Sequence, residues 1–304
     1  MKDRKMIDLP APAFTAETVA MMQVGPNPSP RQESPLPIPR RRTIIETPAA
    51  DAAAPGVKKP GRFEECVALG RRDPAAGLAL AKAWLAENPT PEARVAVQLC
   101  LGQTQSAQGD YAGAEQAFAD AAANIPPAQA TAAVPLYAMA GNAALAAGKA
   151  ERATDWFDKA LAIKGVTDNV ALGGVQADRA RALVAQGRMA EAGGALDEAH
   201  RLAPDDPQGW LLSATLARRN NDLPRAQRDI EIASNLDPRD PAIGLEAGVI
   251  AVLDNRDEAA RKSWESVVKA APGSDEAKVA TGYLEQLGPA PTSSVPTPPA
   301  KQVP

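Results

Sequence analysis

The chain has 304 residues, of which 45 % are hydrophobic, 23 % charged and only 4 % aromatic, with a formal net charge of −4. That length suits two average domains or one long array, and a core so poor in large rings suits close-packed helices better than a sandwich or barrel. One histidine (His200) and two cysteines (Cys66, Cys100) exclude a disulfide-dense scaffold and the usual His/Cys zinc site, and the acidic balance excludes a broad basic surface for nucleic acid.

Proline and charge divide the chain into three. Eleven of the 29 prolines fall in residues 1–62 and six in residues 288–304. Such stretches bury too little apolar surface to offset chain entropy, so residues 1–61 and 289–304 are expected to be disordered tails. The first 62 residues carry a net charge of +4, and the middle carries −9. The basic start is not followed by an apolar segment of signal-peptide length, which predicts a cytoplasmic chain. A start placed further upstream would turn that expectation towards the periplasm or envelope. The uncharged run Ala121–Gly148 is broken by Pro126, Pro127, Pro135 and Gly141 and is largely alanine. It reads as a soluble helical hairpin and not as a membrane span.

Residues 62–288 are helical by period, with apolar positions three and four residues apart. Breakers fall at Gly109-Asp110, Gly148-Lys149, Gly187-Arg188, Asn221-Asp222 and Asn255-Arg256. Each predicts a tight turn between two helices. Five positions recur at offsets 0, 12, 16, 19 and 24. The copies are Gly102/Ala114/Phe118/Ala121/Pro126, Gly141/Ala153/Phe157/Ala160/Gly165, Ala180/Ala192/Leu196/Ala199/Pro204, Ala214/Ala226/Ile230/Ala233/Pro238 and Gly248/Ala260/Trp264/Val267/Pro272. Their starts are 39, 39, 34 and 34 residues apart, which places five extra residues near Ile125–Ala133 and five near Gly165–Ala171. Small residues at offsets 0 and 12 let two helices approach, and the large residue at offset 16 fills the space beside them. Proline at offset 24 stops the second helix. A degenerate earlier copy reads Glu65/Gly77/Ala81/Trp84/Pro89. Ser274 is expected to cap a final helix with Ala277, Ala280, Leu284 and Leu287 on its apolar face.

This pattern resembles the tetratricopeptide repeat family over Arg62–Gly288. The resemblance implies an all-α, right-handed superhelical solenoid of antiparallel helix pairs, about six hairpins and a capping helix, whose first helices line a concave face. It further implies ligand-facing positions at offsets −3, +1 and +4. These are Leu99, Gln103 and Ser106; Ala138, Asn142 and Leu145; Ala177, Arg181 and Val184; Leu211, Thr215 and Arg218; and Leu245, Val249 and Val252. Asn142, Arg181 and Arg218 are its polar handles. The expected function is a non-catalytic scaffold or adaptor that takes a partner peptide or protein in this groove. The plainer reading of each leucine is core, and of each arginine a solvated rim.

A second reading gives the contact to the basic tail, where Arg40, Arg41 and Arg42 precede Thr43-Ile44-Ile45 and would meet an acidic partner or surface. Three arginines are too few for stable membrane anchoring. An enzyme is the third reading. His200 is the only imidazole, with Asp197 one helical turn before it, and is expected on the surface. The DEAH at 197–200 lacks a phosphate-binding loop before it, and HExxH and GxSxG do not occur. No cofactor, metal or catalytic residue is therefore assigned. Cys66 and Cys100 are expected as buried free thiols.

Overall fold

The structure is a computed structural model that describes residues 61–289. The tails expected at 1–61 and 289–304, with the Arg40–Arg42 patch, lie outside the described residues except for Gly61 and Pro289 themselves. Among the described residues there are thirteen α-helices, one 3-10 stretch and no strand. Contacts divide them into two units, residues 61–148 and residues 149–289.

The N-terminal unit holds α1 (Arg62–Arg72), α2 (Pro74–Ala86), α3 (Pro91–Ala107), α4 (Tyr111–Ala123), a 3-10 stretch (Pro127–Ala133) and α5 (Val134–Ala146). The five extra residues after α4 are thus taken up largely by the 3-10 stretch. Gly109 turns the chain between α3 and α4 with φ +77°, a left-handed conformation that glycine adopts without strain. Asp110 then caps α4, its carboxylate accepting from the Gly113 amide at 2.9 Å. A Cβ on Gly102 would lie 2.5 Å from the Phe118 ring, so the small and large positions of this copy meet as their spacing predicts.

Two expectations fail in this unit. Glu65 is exposed, and the close crossing lies instead between Gly70 and Gly77, where a Cβ on Gly77 would stand 2.5 Å from the Gly70 Cα. The cause is the connection: Asp73 alone joins α1 to α2 and caps α2 through the Ala76 amide, so the helices cross next to the turn. The expected free thiols are also corrected, because Cys66 and Cys100 form a disulfide. It joins α1 to α3 inside a cluster with Ala81, Trp84 and Val97. Closing a loop over a sequence separation of 34 restricts the unfolded chain by about 4 kcal/mol in the chain-entropy account.

The C-terminal unit holds α6 (Ala150–Ala162), α7 (Asn169–Ala185), α8 (Met189–Leu202), α9 (Pro207–Arg219), α10 (Leu223–Leu236), α11 (Pro241–Leu253), α12 (Asp257–Ala270) and α13 (Asp275–Leu287). Gly187, Asn221 and Asn255 take the left-handed turn at α7–α8, α9–α10 and α11–α12, with φ of 76°, 59° and 59°. The second helices end at Leu202, Leu236 and Ala270, two residues short of Pro204, Pro238 and Pro272. Asp168, Asp206, Asp222, Asp240 and Ser274 cap the helices that follow them.

The offset 0, 12, 16 and 19 positions of the last three copies are all buried, each non-glycine member at most 3 % exposed. Gly248 lets α11 close on Trp264, whose indole Nε1 donates to the Leu245 carbonyl at 3.1 Å. The capping helix is as expected and adds a contact that its alanine stripe did not signal: Tyr283 is buried, with its ring centroid 5.0 Å from that of Trp264. In this unit each first helix touches the next, α7 to α9, α9 to α11 and α11 to α13, whereas α8, α10 and α12 meet their neighbours through the first helices. The first-helix row is therefore the tighter side.

Trp264 carries the last hairpin. Trp264→Ala should destabilise the C-terminal unit by about 3–5 kcal/mol, read as a lowered urea midpoint. A loss under about 1 kcal/mol would show that the tyrosine and the valines fill the space unaided.

Candidate functional site

The row α7–α9–α11 carries nine of the positions implied to face a ligand, and the structure sorts them. Val184, Thr215, Arg218 and Leu245 are half-buried and reach the surface. Ala177, Leu211, Val249 and Val252 are buried. Leu211 packs with Ala214, Ile243 and Ile250, and Val249 with Ala260, Trp264 and Tyr283. Leu211 and Val249 thus each lie at a helix–helix contact. In the N-terminal unit Leu99 and Gln103 on α3 and Asn142 on α5 are half-buried, and Leu145 is buried. There α3 and α5 each pack on α4, with the 3-10 stretch between α4 and α5, so these four do not form one continuous row.

The two arginines differ. Arg181 is 5 % exposed and ion-paired with Asp178 one turn earlier on α7, whose side chain is 2 % exposed. A pair this deep belongs to the packing, and removing one partner would leave the other charged and dry. Arg181 also lines a depression between α7 and α9, with its charge already engaged by Asp178. Arg218 on α9 reaches Glu246 on α11 through two bonds, Nε to Oε1 at 2.6 Å and Nη2 to Oε2 at 3.2 Å. Both side chains keep contact with water, at 12 % and 13 % exposure. This two-pronged geometry is the strong form of the carboxylate–guanidinium bond. It ties two adjacent first helices at the surface of the row, with Leu245 next to it in sequence.

A polar network between α8, α9 and α10 was not foreseen. The Ser213 hydroxyl donates to Asp229 Oδ2 at 2.6 Å, both residues being buried. Arg225 donates to the same carboxylate and, at 2.6 Å, to Asp197. Asp197 is thus paired with Arg225 and not with His200. His200 is half-buried, its ring stacked on Trp210 with centroids 3.6 Å apart, which corrects the expectation of a surface histidine. Ser213 and Asp229 stand at offsets −1 and 15 of the fourth copy, positions where other copies also carry polar residues, Arg179 and Ser263, so the repeat pattern gives no signal for the network. The Ser213 proton is directed to a carboxylate, and the imidazole is held by stacking, so the three side chains form no proton relay.

Two spaces lie in this unit. One is a shallow depression between α7 and α9, with Val184, Thr215 and Arg219 among its lining residues, holding about 10 Å³, roughly one water. The other is an open crevice of about 420 Å³ where α10 and α12 flank Ala247 and Ala251 of α11, rimmed by Gln227, Glu231, Ser234 and Arg256. Arg256 donates to Gln227 and to Asp254, which fixes part of that rim. Among the described residues no group of three or more His, Cys, Asp or Glu could hold a metal ion, and no helix is long and apolar enough to cross a membrane.

Residues 211–275, from α9 to the start of α13, match the tetratricopeptide repeat family. Over those residues the chain carries the tetratricopeptide repeat. Solved structures with the repeat fold align over most of their own length. PilW, a widely conserved type IV pilus biogenesis factor, is 15 % identical over 73 % of this chain and 100 % of that one, with a TM-score of 0.58. Pseudomonas aeruginosa pilF is 13 % identical over 73 % and 98 %, with a TM-score of 0.53. YrrB, a TPR protein with an unusual peptide-binding site, is 19 % identical over 61 % and 90 %, with a TM-score of 0.43. At these identities the likeness is one of fold. No curated protein matches the sequence.

Burial pulls the His200 imidazole below its ordinary value of about 6.5, against the Gly209 backbone and the charges of Asp229 and Asp197, which pull it up; Arg225 adds to the lowering. A folded-state value below the unfolded one means that the unfolded chain takes up more protons. Stability from this group is complete above the ordinary value and is lost as pH falls through it. The His200 ring resonances should therefore titrate below the ordinary imidazole midpoint. The acid-side loss of stability should shrink in His200→Gln, measured by urea unfolding at neutral and mildly acidic pH.

Proposed function

We propose that the chain is a non-catalytic adaptor that takes a peptide segment of a partner protein along the first-helix row of its C-terminal unit. The observation that carries this reading is the division of labour along α7, α9 and α11. Buried Leu211 and Val249 hold the row together and the Arg181–Asp178 pair lies buried within α7, while Val184, Thr215, Arg218 and Leu245 reach the surface, Leu245 packed on the core beneath it and Arg218 bridged to Glu246. The surface of the row sets Val184 and Leu245 beside Thr215, exposed Arg219 and one water-touching ion pair, which offers side-chain contact and a fixed polar register.

The crevice over Ala247 and Ala251 is the competing surface. Its rim is polar, and Arg256 already engages Gln227. The row is favoured because its neighbouring first helices abut and give a peptide several helices to span.

Thr215→Arg combined with Val184→Glu should reduce partner recovery about tenfold or more, the loss of one good anchor. The helical signal and urea midpoint should stay near those of the parent, since both side chains reach the surface. Gln227→Ala, on the crevice, should leave recovery unchanged, and so should deletion of residues 1–60. Recovery that survives the double variant and falls with Gln227→Ala would move the site to the crevice. Recovery lost on deletion of the first 60 residues would move it to the basic tail.

A further inference from the structure

The disulfide sits where the fold has least else to hold it. Cys66 lies on α1 and Cys100 on α3, so the bond, across a separation of 34 residues, links successive first helices. Both residues are fully buried, with Cα atoms 6.2 Å apart. Of the eleven residues of α1, only Cys66 and Gly70 are buried, and the glycine brings no side chain. Phe63 and Val67 are partly buried against the cluster. The other ties are the close approach of Gly70 to Gly77 on α2 and to the Thr104 methyl on α3, and at the rim Arg62, which pairs with exposed Glu87 and whose guanidinium lies 4.9 Å from the Trp84 ring centroid. By contrast α12 buries Ala260, Trp264 and Val267, with no covalent link.

We propose that the Cys66–Cys100 bond is a redox staple: α1 stays docked on α3 only while the bond is closed, and the chain is built to work in a compartment where dithiols are oxidised. Disulfides persist in secreted and periplasmic proteins and are rare where thiols are kept reduced. A buried pair at packing distance joins readily once the helices have met. Closure is a thiol–disulfide exchange with a disulfide-bearing oxidant, either an oxidised dithiol protein or a small disulfide. One cysteine thiolate attacks an oxidant sulfur and forms a mixed disulfide, releasing the oxidant's first thiol. The second cysteine thiolate then displaces the oxidant's second thiol. One S–S bond forms and one breaks, two electrons pass to the oxidant, and the two cysteine protons end on its thiols. Reversal frees α1 and uncovers the Trp84 and Val97 face of the first hairpin. This staple acts on the N-terminal unit and is independent of the peptide-binding row.

The test uses the full chain. Alkylation under denaturing conditions should label no cysteine before reduction and two after it. Hydrogen exchange followed by mass spectrometry should show residues 62–72 exchanging about tenfold faster or more once the bond is reduced. Residues 207–270 should keep their protection. The paired substitution Cys66→Ala and Cys100→Ala should reproduce the reduced pattern in reductant-free buffer. In cells of the native source, quenched with acid before alkylation, both cysteines should be blocked. Equal protection of 62–72 in the two redox states would overturn the staple. Loss of protection at 207–270 as well would overturn its local character. Free thiols in the quenched cells would overturn the oxidising compartment.

Discussion

Every later feature depends on how closely the two helices of a hairpin can approach. Gly102 lies against the Phe118 ring and Gly248 against the Trp264 indole, at distances a methyl group would not permit. Ala180 with Ala192, and Ala214 with Ala226, are fully or almost fully buried at the same offsets. Interiors pack to crystal-like density, so one added carbon at such a crossing must move a helix. The low aromatic content follows from this. An alanine-lined crossing needs only one large side chain per hairpin, and the chain supplies about one each: Trp84, Phe118, Phe157, Leu196, Ile230 and Trp264.

From that approach comes the asymmetry of the C-terminal unit. Close-packed hairpins bring first helix to first helix, while the second helices reach one another only through that row. The tighter row carries the candidate face. Burial then decides which residues are free to recognise a partner. Positions facing the neighbouring helix are consumed by packing, Leu211 and Val249 among them, and Arg181 is consumed by Asp178. Positions turned outward remain, and Arg218 reaches across to Glu246 without leaving the surface.

The repeat was legible because its grammar is local. Offsets, glycine and asparagine turns, aspartate and serine caps and helix-stopping prolines all act within one hairpin, and the structure follows them closely between Asn169 and Leu287. The first hairpin was misread at Glu65 because its crossing is set by the one-residue connection at Asp73, which the offsets cannot register. The cysteine pairing was missed because Cys66 and Cys100 fall at different offsets, 1 and −2 from Glu65 and Gly102, so the repeat pattern does not bring them together. Partners across hairpins were the least legible. The bonds of Arg218 to Glu246 and of Arg225 to Asp197 each bridge 28 positions, and no single-sequence period reports them. The burial of His200 depends on Trp210, which begins the next first helix.

The Arg218–Glu246 bridge also governs how this part of the molecule can flex. It fastens α9 to α11 with two directional bonds, so bending that seam would stretch both at once. The seam between α7 and α9 has at its surface the shallow depression beside Val184 and Thr215, with room for about one water. Apolar contacts slide with little directional penalty, whereas the forked bridge does not. Each joint of the row nonetheless has a directional tie, Arg218–Glu246 between α9 and α11 and Arg225–Asp197 between α8 and α10, and neither opens without stretching one of them.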